Sequence, residues 1–200
     1  MTVSIDSTTK KYHGRKAETY EAVRTKQQRW DIENAEVKWM LKKLRPKSVL
    51  DVPCGTGRFL STYGMIGVKH VIGVDVSNEM LDQAAEKAKH VVKKTGILIE
   101  LKQRDVRKLK PVDVDVSVCV RFLDLIDELA MREVIKILMI RSKRAIICTI
   151  RLGEQYVAKS NTATHDEKKF QWFLKRNGWK IAKCVPVFNQ GWFILLLKPR

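Results

Sequence analysis

Gly55 and Gly57 follow the apolar run at 48–52, and a second apolar run ends in an acid, Asp75, twenty positions beyond Gly55. A glycine has no β-carbon, so the backbone turns tightly there and a ligand can approach it closely. A helix beginning just after such a loop offers unpaired N–H groups to negative charge. An acid at about this spacing is placed to reach ribose hydroxyls. Asp51, at the end of the first run, would face a cationic group. A glycine pair alone is weak, since any tight turn uses it. Joined to an acid-tipped second run, it points to an adenosine-type ligand.

The elements around these residues alternate. Residues 48–52, 70–74, 97–101, 112–120 and 144–150 are short apolar runs that read as strands. Between them, 59–63 opens a helix, 80–90 is helical, and Met131, Val134, Ile135, Leu138 and Met139 line one helical face. Before the first strand, Val37, Met40, Leu41 and Leu44 recur at helical spacing, and Pro46 closes that helix. Such alternation predicts a mostly parallel sheet covered on both faces, an α/β three-layer sandwich of Rossmann-like type. Thr164 with Glu167 resembles a capping box for a last helix carrying Phe170, Phe173 and Leu174, with Gly178 at its end. Residues 179–187 and 191–197 then follow with only Phe188, Asn189 and Gln190 between them. That is too short for a parallel crossover, so they form a hairpin and the last of seven strands is reversed. The expected organisation is a loose tail over 1–15 and one domain over 16–200. Within it, 16–45 is a helical cover and 46–200 the core.

These motifs resemble those of class I S-adenosylmethionine-dependent methyltransferases, and the resemblance spans nearly the whole chain. It implies that Asp51, Pro53, Cys54, Gly55, Thr56 and Gly57 hold the methionine part of the donor. It also implies that Asp75 takes the ribose hydroxyls, with Val76 and Met80 packing nearby. Asp105, in Gln103-Arg-Asp105-Val106, would accept from the adenine amino group, with Val106 beside it, and Val120 and Arg121 would border the sulfonium. The implied cofactor is S-adenosylmethionine, with S-adenosylhomocysteine as product, and no metal. The reversed final strand is also a hallmark of this family. A nicotinamide or flavin site shares the first two units but usually wants a third glycine where this chain has Leu60.

The acceptor is less defined. Residues 120–124 contain neither the acid- or Asn-led Pro-Pro-aromatic run of DNA amino-methyltransferases nor the Pro-Cys of cytosine carbon-5 enzymes. Loops after the fourth and fifth strands face the acceptor side, which makes Arg121, Arg151, Tyr156 and His165 substrate-side candidates, joined by Arg29 and Trp30 from the cover. His165 would serve as a base and Arg121 would hold an anion or pair with Asp124. A net charge of +17 over 200 residues favours a polyanion, so RNA or DNA leads, with a small-molecule acceptor or a non-catalytic donor-binding regulator as alternatives. The basic residues are nonetheless dispersed, as on a solvated face. The four cysteines have no metal or redox spacing, and Cys119, Cys148 and Cys184 read as small core residues. No run spans a bilayer and the first residues are polar, so a cytosolic protein is expected.

Overall fold

The computed structural model describes residues 19–153, 162–187 and 191–198. A short helix α1 (Tyr20–Arg24) leads to α2 (Gln28–Leu44), which Arg45 ends in a left-handed conformation. There follow β1 (Ser48–Asp51), α3 (Leu60–Met65), β2 (His70–Asp75), α4 (Asn78–Thr95), β3 (Leu98–Gln103), β4 (Val114–Cys119), α5 (Glu128–Arg141), β5 (Ser142–Ile150), α6 (Glu167–Arg176), β6 (Lys180–Pro186) and β7 (Trp192–Leu197). Two helix starts are fixed by side chains that accept orphan main-chain N–H groups. Ser77 Oγ accepts from Met80 N at 3.2 Å, and Asp127 Oδ1 accepts from Ala130 N at 2.9 Å.

The seven strands lie in the order β3-β2-β1-β4-β5-β7-β6. The first five are parallel, and β7 runs antiparallel to both β5 and β6. Because side chains alternate along a strand, each strand feeds two cores. Val49, Val71, Val118, Ile147 and Leu195 pack under α2, α3 and α4, whereas Leu50, Ile72, Ile146, Cys148 and Ile194 pack under α5 and α6. The reversed strand and the three layers are as the sequence predicts. Helix α2 is further tied to β6 by Lys183, which pairs with Glu36 at 2.7 Å and lies 3.6 Å over the Trp39 ring.

Two local expectations differ. The capping residue of α6 is Asp166, not Thr164: its carboxylate accepts from Lys169 N at 2.9 Å. The backbone beside Thr164 is committed instead to the segment that follows β5, His165 N donating to Arg151 O and Gly153 N to His165 O. Cys184 is exposed, because β6 is the sheet's last strand and its side chains alternate outward, while Cys119 and Cys148 are fully buried. The anticipated tail over 1–15 and the turn at 188–190 lie outside the described residues.

Candidate active site at the carboxyl ends of the strands

All five parallel strands end on one side of the sheet, and a cleft opens there. Its wall includes Val52, Pro53, Cys54, Gly55 and Thr56 after β1, Val74, Asp75 and Val76 at β2, and Met80 from α4. Arg104, Asp105 and Val106 after β3, and Val120, Arg121, Phe122 and Leu125 after β4, complete the far sides, with Tyr20 of α1 and Arg58 and Phe59 also facing it.

Hydrogen bonds radiate from Asp75. Gly55 N donates to Asp75 Oδ2 at 2.8 Å and Ser77 N to Oδ1 at 3.0 Å, so one carboxylate orders both the glycine loop and the entry to α4. Main-chain bonds from Cys54 N to Val74 O and from Arg104 N to Asp75 O lock the ends of β1, β2 and β3 together. Asp105 is held by its neighbour: burial pushes its carboxyl up, but hydrogen bonds and charge from Arg107 outweigh that and leave it below the usual carboxylate range. It stays ionised and acceptor-only.

The two glycines separate in role. Gly55 sits at φ +53° with open space where a β-carbon would be, so its face is available to a ligand. Gly57, at φ +74°, would drive a β-carbon to 2.7 Å from Leu60 and 3.1 Å from the Ala84 backbone. It serves the packing of the loop on α4 and is absent from the cleft wall. Asp51 is also absent from that wall. It is 1% exposed beneath the loop, and its Oδ2 has no partner among the described residues. Burial pushes its carboxyl up to about 7, against the opposing effect of Tyr63, with the Asp75 charge adding to the rise. The expectation that Asp51 meets a cation directly is corrected: the strand's alternation turns it inward.

Opposite the acids lies a cluster of arginines. Glu33 on α2, wholly buried, accepts from Arg29 Nε at 2.5 Å through one oxygen, and from Arg58 Nη1 at 2.7 Å and Arg121 Nε at 2.8 Å through the other. Burial raises the Glu33 carboxyl, yet the three guanidinium charges prevail and it lies below its ordinary value. Arg58 also stacks 3.6 Å over the Trp30 ring, which is itself buried. Arg121 therefore pairs with Glu33 and not with Asp124. Asp124 instead lies 3.9 Å from Arg29 and 3.8 Å from Arg151, and Arg151 donates to Thr162.

Residues 49–139 match the family described as Methyltransferase domain. The match covers a little under half of the chain, and the reversed seventh strand and the acid-tipped cleft agree with it. A solved magnesium protoporphyrin IX methyltransferase from Synechocystis PCC 6803, with bound S-adenosylmethionine, is similar at TM-score 0.79 and 17% identity, covering 96% of this chain and 95% of that one. An S-adenosylmethionine-dependent methyltransferase from Clostridium acetobutylicum ATCC 824 is similar at TM-score 0.68 and 15% identity, covering 91% and 96%. An uncharacterised protein of Haemophilus influenzae is 43% identical over 53 residues, which are 26% of this chain and 21% of that relative's length.

Within the matched residues, Pro53, Cys54, Gly55, Thr56, Asp75, Val76, Met80, Asp105, Val106, Val120 and Arg121 all reach the cleft wall. Arg29, Trp30 and Arg151 are buried behind it. His165 is 2% exposed, off that wall, with Nε2 facing Leu123 O at 2.8 Å; burial lowers its pKa, so it is neutral near pH 7 and Nε2 must be the donor. Tyr156 lies outside the described residues. Sequence reasoning missed Glu33, although its signal was present. It sits at helical spacing with Trp30, Val37 and Met40 on the face that enters the core, where an unpaired acid would be costly. It also missed Glu21, which accepts from Thr56 Oγ1 at 3.3 Å and pairs with Lys87, tying α1 to the glycine loop.

Proposed function

We propose that this protein is an S-adenosylmethionine-dependent methyltransferase acting on a small-molecule acceptor. The observation that carries the donor assignment is the Asp75 carboxylate, fixed by Gly55 N and Ser77 N beside an open glycine face. A carboxylate has about four acceptor positions, so Asp75 can order the turn and meet a ribose diol together. Val76, Met80 and Val106 supply apolar surface for a flat base, and Asp105 an ionised acceptor at its edge. Bound S-adenosylmethionine supplies a methyl group already activated by its sulfonium, so no covalent nucleophile is required of the chain. Burial raises the Cys54 thiol well above its ordinary value, in keeping with a packing role. The residues' contribution is alignment, which is worth up to roughly 7–11 kcal/mol when donor and acceptor are held in line.

The placement of charge favours a small acceptor over nucleic acid. Most arginines around the cleft are engaged with acids, Arg29, Arg58 and Arg121 with Glu33, Arg151 with Asp124 and Arg107 with Asp105, while Arg104 is exposed on the wall. Exposed cations gather at the opposite end of the sheet, where the helices terminate: Lys42 and Lys43, Lys93 and Lys94, Lys175 and Arg176. There they complement the helix dipoles.

Two steps test this reading. Calorimetry with S-adenosylhomocysteine should give binding that Asp75→Asn weakens; no heat with folded protein overturns the donor assignment. Labelled donor is then incubated with the protein and cell extract, and the mixture is split by ultrafiltration, ribonuclease, deoxyribonuclease and protease. Label in a filtrate compound that separates by chromatography from the donor itself is expected, whereas retained label released only by a nuclease overturns the acceptor class.

A further inference from the structure

Arg121 is built differently from the other arginines around Glu33. It occupies a left-handed backbone conformation, φ 61°, which costs a non-glycine residue free energy and is retained where the surroundings impose it. The imposing contact is its own N–H, which donates to Thr149 Oγ1 at 2.6 Å. The side chain so directed spends Nε on Glu33 and Nη1 on Gln27 Oε1 at 3.3 Å. Nη2 is buried and has no partner among the described residues, while the residue lines the cleft. Glu33 Oε2 is shared between Arg58 and Arg121 while its other oxygen takes Arg29, so three guanidinium groups face one carboxylate and the cluster keeps an excess of positive charge. A buried cationic donor left unsatisfied is costly, and the chain keeps it where β4 meets the cleft.

We propose that Arg121 Nη2 seats a carboxylate group of the acceptor, so that the substrates are small carboxylic acids with an apolar body. This rests on the methyltransferase reading and deepens it. Phe122 and Leu125 line the same part of the wall and suit an apolar body. One unused guanidinium nitrogen in a cluster of net positive charge suits a carboxylate. A phosphate dianion would ask for more donors than this apolar wall provides. The same chemistry has a second source, the α-carboxylate of the donor itself, and the experiment separates the two.

Calorimetry and ligand-observed NMR are run on the wild-type protein saturated with S-adenosylhomocysteine. The probes are benzoate, phenylacetate and 3-phenylpropionate, each against its neutral amide. At least one acid should bind about tenfold or more tightly than its amide, a comparison that needs no variant to fold. In Arg121→Gln, checked for wild-type circular dichroism and saturated at its own affinity for S-adenosylhomocysteine, that preference should vanish, and any loss of S-adenosylhomocysteine should be matched by methylthioadenosine, which lacks the amino-acid carboxylate. Equal binding of acids and amides, or binding of neither, overturns the proposal. So does a variant that loses S-adenosylhomocysteine but keeps methylthioadenosine, which assigns Arg121 to the donor. Failure of the wild type to bind S-adenosylhomocysteine would instead sink the methyltransferase reading itself.

Discussion

The two sides of the cleft are constructed on different principles. On the side of β1, β2 and β3, acids at strand ends are held by groups close by in the chain: Asp75 by the main-chain N–H of Gly55 and Ser77, Asp105 by the main-chain N–H and guanidinium of Arg107. On the side of β4 and β5, arginines are held by acids from distant segments, Arg121 by Glu33 across 88 positions and Arg151 by Asp124. The first side is geometry the backbone imposes wherever a strand turns into a helix. The second is a balance of buried charges, which stands or falls with each partner.

That contrast is most readily broken at Glu33. Glu33→Gln leaves Arg58 and Arg121 without their carboxylate and Arg29 with only Asp124 at 3.9 Å, and removing one partner of a buried ion pair costs about 3–5 kcal/mol. Urea unfolding should show a loss of that order. Affinity of the folded variant for S-adenosylhomocysteine should change far less than in an Asp75 variant. An equal loss of donor binding would mean that the two sides are one coupled network.

Next in size is the pH response, in which the sides have opposite signs. Asp51 has a folded-state pKa of about 7, above its unfolded value near 4, so the native state holds the extra proton between those limits. Its contribution is complete below about pH 4 and is lost as pH rises through 7. Glu33 is depressed, so its contribution is present above its ordinary value and is lost as pH falls below it. Denaturation midpoints across pH 4 to 8 should therefore decline with a component that Asp51→Asn abolishes. A flat difference between wild type and that variant would place the Asp51 proton elsewhere.

Donor affinity sharpens the comparison at a third level. Asp75→Asn keeps at most one of the two main-chain hydrogen bonds, as a neutral one, and turns an NH2 toward the other N–H, and bonds to charged groups contribute about 1.5–3 kcal/mol. Calorimetry should show S-adenosylhomocysteine weakened by roughly tenfold to a hundredfold. The same variant should leave the carboxylate-over-amide preference of the Arg121 side intact.

What could be read in the chain divides along the same line. Gly55 and Asp75 were legible because local sequence alone fixes a strand end, a tight turn and a fixed spacing, whereas Asp105 came only from the resemblance to the family. The reversed β7 was legible because three residues cannot form a parallel crossover. The Glu33 network was not, since nothing near Arg121 says that its partner comes from α2. Gly57 and Asp51 were placed on the right motif but the wrong face. Which of two glycines packs on α4 depends on Ala84, and the inward turn of Asp51 depends on register with β2 and β4.

The smallest effect probes whether the donor side is set by backbone alone. Ser77 Oγ accepts from Met80 N, and Ser77 N is one of the two donors that orient Asp75. Ser77→Ala removes the cap but keeps the N–H, so the cost to stability should be near 1 kcal/mol, as for other lost helix caps. Donor affinity should shift by no more than about threefold, because the Asp75 carboxylate still meets Gly55 N and residue 77 N. A loss approaching that of Asp75→Asn would mean that the start of α4, and not the glycine loop, fixes the carboxylate. The backbone-imposed side would then depend on a side chain after all.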